Sequence, residues 1–207
     1  MNELSESDIN QKAATLFLQT LKSASRDGHV RLESNSLLSA MVSPFLTLRQ
    51  YYSYLILMQK IIDAYERHIC VKIGFGQGNS SFNIIEDIET IGVIPVNDAL
   101  TKPYSLPSDK FSMSFALGFM YVMEGSKLGG KIIFKNIQRN FGFSEIHGAK
   151  FISDAGSDTI EHWKKFLNSF SNYIVENNTE KEAIKGAQYA FESIYDFFEV
   201  NHLFYED

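Results

Sequence analysis

Apolar residues recur along the chain with the spacing of α-helices. Between residues 8 and 24, Ala14, Phe17, Leu18, Leu21 and Ala24 fall on one face of a 3.6-residue repeat. From Pro44 to about Cys70 the text LTLRQYYSYLILMQKIIDAYERHI predicts one long helix, with Pro44 admitted to its first turn. Residues 108–141 open on Ser-Asp and then run apolar, a helix interrupted by glycines. Residues 157–176 and 179–205 predict two more helices, started by Ser157-Asp158 and Thr179-Glu180. Three of the 4 prolines fall between Pro95 and Pro107 and mark a loop, and GFGQGNSS at 74–81 reads as a flexible connection. No stretch alternates as a strand does, and β-like runs such as KIIF sit inside helical periodicity. There is no internal repeat and no low-complexity segment. The expectation is an all-α single domain over residues 1–207, with residues 1–10 a flexible N-terminus.

Composition narrows this only in part. The 207 residues include 17 Phe and 10 Tyr. They serve either a large aromatic core or a pocket for a flat apolar ligand. The net charge of −6 argues against a nucleic-acid partner, which would need clustered Lys and Arg. A single cysteine, Cys70, allows no intrachain disulfide and fits a reducing compartment. The opening MNELSESDINQ is polar and acidic, unlike a secretory or transit segment. No apolar run approaches the roughly 20 residues that span a bilayer. The expected location is the cytoplasm, with no membrane contact.

Two segments carry candidate chemistry. In LKSASRDGHVRLE, Leu21 to Glu33, His29 lies eight residues after Leu21 and four after Ser25, so it continues the apolar face of the first helix. One reading is a core histidine with a hydrogen-bonded ring. The other is a metal ligand. Gly28 removes a side chain beside it, where a broad ligand could approach, and Glu33 at i+4 can accept from one ring nitrogen and leave the other free. Lys22 and Arg26 lie nearby, either to neutralise carboxylates at a pocket edge or as a solvated basic face.

The second segment is LGFMYVMEGSKLGGKIIFKNI, Leu117 to Ile137. Gly118, Gly125, Gly129 and Gly130 all fall within one helical pattern, at a cost of about 0.5–1 kcal/mol each relative to alanine. Gly118, Gly125 and Gly129 share a face. Either two helices pack there backbone to backbone, or a kinked helix lays bare backbone against a flat ligand. GFGQG is no nucleotide loop, because it lacks the lysine and the strand-to-helix context. Paired Glu-x-x-His motifs of a di-iron bundle are absent.

Taken together these segments resemble the haem oxygenase family, particularly its bacterial, biliverdin-producing type. L-K-x-A-S-R-x-x-H-x-x-L-E is similar to the family's proximal-helix motif, and Y-V-M-E-G-S-K-L-G-G to its distal-helix motif. AFESIYDFFE, Ala190 to Glu199, resembles its last helix, with Phe191 and Phe198 on one face. The resemblance runs from about residue 12 to 200.

It implies a helical bundle with haem held between the proximal helix and a glycine-kinked distal helix. His29 would be the axial iron ligand and Glu33 its hydrogen-bond partner. Lys22 would meet a haem propionate, with Lys131 or Lys135 a weaker candidate for the second. Gly125, Ser126, Gly129 and Gly130 would form the distal surface, with Gly125, Ser126 and Gly129 nearest the chemistry. Tyr121, Phe191 and Phe198 would complete the pocket. Animal-type members carry an aspartate where this chain has Ser126. Bacterial relatives lack it too, so proton delivery is left to the Ser126 hydroxyl, glycine carbonyls and ordered water. The implied reaction opens haem, both substrate and cofactor, to biliverdin, carbon monoxide and ferrous iron. It uses O2 and electrons from an external reductase or ferredoxin. A biliverdin acceptor such as a phytochrome joins the partners so implied. The alternatives are a haem-binding or storage protein without turnover and a helical protein of related fold that binds another small molecule.

Overall fold

The computed structural model describes residues 6–74, 80–92, 101–106, 111–153 and 159–205. The helices are α1 (Glu6–Ala24), α2 (Arg26–Glu33), α3 (Ser36–Met41), α4 (Leu48–Tyr65), α5 (Val71–Ile73), α6 (Ser80–Ile91), α7 (Met113–Ser126), α8 (Gly130–Phe141), α9 (Lys150–Ser153), α10 (Thr159–Glu176), α11 (Glu180–Val200) and α12 (His202–Tyr205). A π-turn at Glu66–Cys70 joins α4 to α5, and a 3-10 turn at Lys127–Gly129 joins α7 to α8. Among the described residues the only β-type pairing is isolated, at Ser144 with His147 and Gly148. The all-α class expected from the sequence is what the structure has.

Several boundaries differ from expectation for identifiable reasons. Residues 6–10 are not a flexible end but the first turns of α1. Pro44 lies outside α4. Thr47 starts that helix instead, through a capping box in which its hydroxyl accepts from Gln50 N and its own N–H donates to Gln50 Oε1. The segment expected to begin at residue 108 becomes helical at Met113, where the Ser112 hydroxyl accepts from Phe115 N. Thr179 precedes α11 but does not cap it. Its hydroxyl accepts from Ser114 and ties α11 to α7. The pairs Ser108-Asp109 and Ser157-Asp158, residues 1–5, and most of the proposed linkers at 75–79 and 93–100 lie outside the described residues. Residues 101–106 have no regular structure.

The centre of the molecule is the contact between α7 and α11, and two glycines make it possible. An ideal Cβ at Gly118 would lie 1.9 Å from Ala183 O, and one at Gly186 would lie 2.0 Å from Phe115 O. Any side chain at either position forces the backbones apart. Ala116, Phe119, Ala187, Ala190 and Phe198 are buried around this seam. On one flank α1 packs on α10, with Phe17 and Phe170 edge to face at 5.4 Å. On the other, α4 packs on α6.

Polar ties fix the remaining walls. Asn35 Oδ1 caps α3 while its Nδ2 donates to Glu199 Oε1 at 2.8 Å on α11. Asn136 of α8 donates to Met41 O and Ser43 O, at 2.9 and 2.6 Å. Buried Asp87 on α6 accepts from Lys150 N and Phe151 N, both at 2.8 Å, and so seats α9. These ties join segments far apart in sequence, and between them they leave one large opening.

Candidate functional site

That opening is a cavity of about 1170 Å³ between α1–α3 on one side and α4, the α7–α8 kink and α11 on the others. Apolar walls come from Met58, Ile62, Met123, Ile133, Ile194 and Phe198. The cavity is at the upper end of ordinary ligand pockets, which run to roughly 1,000 Å³.

One wall is built by the junction of α1 and α2. Ser25 interrupts the two helices for a single residue, with φ −98 and ψ −1. Its hydroxyl donates to Leu21 O at 2.8 Å, and its carbonyl accepts from His29 N at 3.0 Å. The rod therefore continues almost unbroken, and Lys22, Arg26, His29 and Glu33 all line the cavity. His29 is not a core histidine. Its side chain is 55% exposed, onto the cavity, and α2 buries no residue. Nδ1 of His29 lies 3.4 Å from Glu33 Oε2, and Phe191 meets the imidazole edge to face at 5.5 Å. The carboxylate stands beside Nδ1, the geometry in which a neighbouring acid leaves the other ring nitrogen to a ligand. Gly28 has a different purpose from the one expected. An ideal Cβ there would lie 2.9 Å from Phe191 Cβ, so it lets α2 close on α11 and does not open space for a ligand.

The opposite wall is the kink. The α-helical ladder of α7 tightens to a 3-10 turn at Lys127–Gly129 and resumes in α8, a break of the kind found at functional hinges. The four glycines expected to act together divide. Gly118 makes the helix seam. Gly125 faces Trp163, whose ring edge would lie 3.4 Å from an added Cβ. Gly129 has nothing within 4 Å and presents bare backbone to the cavity, while Gly130 is buried at the start of α8. The backbone-to-backbone packing that was one alternative is thus found at Gly118, while Gly129 offers bare backbone at the kink. Ser126 lines the cavity, but its hydroxyl donates to Met123 O at 2.8 Å. Tyr121 also lines it, tilted against Trp163 at 5.3 Å, and burial raises its phenol pKa.

All ten candidate site residues line this one cavity: Lys22, His29, Glu33, Tyr121, Gly125, Ser126, Gly129, Gly130, Phe191 and Phe198. The weaker candidates Lys131 and Lys135 do not; both are exposed elsewhere on α8. Lys127 lines it instead, paired with Glu124 at 2.8 Å, and so does Arg26, for which no ion pair is found among the described residues. Sequence reasoning missed the side contributed by α4 and the π-turn, where Tyr54, Met58, Ile62, Tyr65, Glu66 and Cys70 face the cavity, and it missed Trp163. Their apolar periodicity looks the same whether it faces a core or a pocket. Burial pushes the Cys70 thiol pKa up, which disfavours the thiolate and leaves the imidazole as the better metal ligand.

Residues 105–200 match the family model described as Heme oxygenase. Heme oxygenase PigA of Pseudomonas aeruginosa is 32% identical to this chain over 88 residues, which is 42% of this chain and 44% of that protein. The alignment thus spans less than half the length of this curated relative. The NO- and CO-bound heme oxygenase of Neisseria meningitidis has the same fold, with a TM-score of 0.68 at 23% identity, covering 91% of this chain and 92% of that one. The family-model match takes in the kink and α11 but not the segment around His29. Over residues 105–200 the chain is thus similar in sequence to heme oxygenases, and it has the fold of a solved heme oxygenase.

Proposed function

We propose that this protein is a haem oxygenase that opens haem to biliverdin, releasing carbon monoxide and ferrous iron. The observation that carries the reading is a single apolar cavity with His29 on one wall and the bare Gly129 backbone on another. The residues present fit a flat, anionic, iron-bearing ring. Glu33 stands 3.4 Å from Nδ1 of the imidazole, the apolar walls suit a macrocycle, and Lys22 and Arg26 supply positive charge on the same wall. Bound haem, at once substrate and cofactor, supplies the redox chemistry, with O2 and electrons from an external donor.

The chain's own contribution is positioning. His29 would hold the iron from the α2 side, with Glu33 beside Nδ1 leaving Nε2 for it. Gly125, Ser126, Gly129 and Gly130 line the facing wall, and with no side chain at Gly129 their backbone would lie open to the bound ring. Tyr121, Phe191 and Phe198 close the apolar sides and exclude water. A reductase or ferredoxin is the implied electron source. No helix among the described residues is long and apolar enough to cross a membrane. The lone buried Cys70 supports a reducing, cytoplasmic setting. The test is haem titration followed by addition of reductant in air. The expected result is one histidine-ligated haem per chain and the visible absorption of biliverdin. A bound haem whose spectrum stays intact under reductant and air would sink the reading in favour of storage.

A further inference from the structure

The glycines of the kink have no side chains with which to hold themselves in place. Nothing stands within 4 Å of an added Cβ at Gly129, and Ser126 bonds back into α7. Gly125 has a neighbour on another helix: Trp163 of α10, the only tryptophan of the chain. Its indole edge would lie 3.4 Å from a Cβ at Gly125, and the same side chain lines the cavity.

Trp163 is the end of an aromatic row. Trp163, Phe166 and Phe170 fall at i, i+3 and i+7 on one face of α10. Trp163 stacks on Phe166 with ring centres 5.6 Å apart, and Phe166 on Phe170 at 5.4 Å. Phe170 is buried and meets Phe17 of α1 edge to face. Tyr121 of α7 flanks the row, 5.3 Å from Trp163 and 6.2 Å from Phe170. Beyond Phe17, α1 passes through Ser25 into α2, which carries His29. The row therefore runs from the rod that holds His29 to the backbone of the kink. These are the two walls between which the ring would lie. Aromatic side chains have few torsions and pair with defined geometry, so a row of them fixes a separation better than flexible chains would.

We propose that Trp163 is a positioning residue: as the tip of this aromatic strut it sets how far the kink backbone stands from the His29 wall, and with it the gap over the bound ring. The inference rests on the haem oxygenase reading. Trp163 transfers no proton and no electron, and acts through the backbone it braces. When it is lost, the 3-10 turn and its glycines settle elsewhere, because glycine admits the widest range of backbone angles. A small molecule held between ring and kink then meets the ring edge in a different geometry. A misplacement of about 1 Å is enough to cost roughly a hundredfold in rate.

The test compares Trp163→Phe, which keeps a ring, with Trp163→Ala, which removes it. The apoprotein of Trp163→Phe should melt within about 4 °C of the parent, and both variants should bind haem with histidine ligation. In the ferrous, CO-loaded proteins the C–O stretching frequency reports what surrounds the gas molecule. It should shift from the parental value, slightly in Trp163→Phe and further in Trp163→Ala. The kcat for biliverdin formation should fall in the same order, roughly tenfold or more in Trp163→Ala, with KM little changed. Adding Gly125→Ala to Trp163→Phe puts a methyl toward the space of the lost indole edge and should restore part of the parental frequency. The brace itself is read without haem. In the Gly125→Leu apoprotein the new side chain must displace the indole, so the fluorescence emission of the sole tryptophan should change. Unchanged emission there would overturn the proposal whether or not the parent binds haem. Parental frequency and kcat in Trp163→Ala would overturn it too, as would a loss of stability with no change of frequency in either variant, which would make the row packing alone. A parent that binds haem without producing biliverdin refutes the enzyme reading separately, while the frequencies still decide the strut.

Discussion

At the scale of single residues the site rests on side chains that contribute little to folding. His29 is more than half exposed and Glu33 is 69% exposed, so removing either side chain costs the fold little. His29→Ala should therefore leave the apoprotein melting curve unchanged. It should also abolish the histidine-ligated haem spectrum, and exogenous imidazole should restore part of it. A parental Soret band in His29→Ala would show that the iron is held elsewhere. Lys22 should act more weakly. Its charge sits in open solvent beside the cavity, where one ion pair is worth about 0–1 kcal/mol. Lys22→Ala should then weaken haem affinity by no more than about fivefold, measured by titration, and alter the mixture of biliverdin isomers if its charge fixes the rotation of the ring. The common placement of His29, Glu33 and Lys22 on this wall was legible in sequence because they obey helical spacing. Gly28 was misread because its neighbour, Phe191, is 163 residues away in the chain, and no local pattern reports such a contact.

At the scale of elements the glycine-broken segment is the part that the structure redefines. A shared helical face, at spacings of seven and four, grouped Gly118, Gly125 and Gly129, but the three meet a backbone carbonyl, an indole edge and open space. Their variants should separate accordingly. Gly118→Ala pushes Cβ onto Ala183 O and should destabilise the apoprotein by about 3 kcal/mol, the upper range of overpacking. Gly129→Leu should leave the apoprotein as stable as the parent or up to about 1 kcal/mol more so, since leucine is the better helix former, and should lower haem binding and biliverdin yield. Gly125→Leu should fall between, because its side chain must displace Trp163. Thermal melting beside biliverdin yield for the three variants checks the order. Equal stability losses at Gly118 and Gly129 would contradict the division. The elements themselves were largely readable, since apolar periodicity found the long helices. Starts were read less well, because Thr47 takes the start of α4 from Pro44 only through bonds that depend on the final backbone. The short α3 and the π-turn carry too few residues to show a period.

At the scale of the whole molecule the cavity links function to stability. The α7–α11 seam and the ties at Asn35, Asn136 and Asp87 join its walls through the protein's own contacts. Haem that binds only the folded chain must nevertheless stabilise it by mass action. At free haem one hundred times the dissociation constant the gain is about 2.7 kcal/mol. A domain of this size gains roughly 2–4 °C per kcal/mol, so the melting temperature should rise by about 5–11 °C. His29→Ala at the same haem concentration tests the coupling. If loss of the iron bond weakens affinity a hundredfold, the gain falls to about 0.4 kcal/mol, a rise of roughly 1–2 °C. The pair of melting curves separates iron-specific docking from general adsorption of an apolar ring. Adsorption would shift the parent and the variant alike, and a parent indifferent to haem would show that the cavity belongs to another ligand.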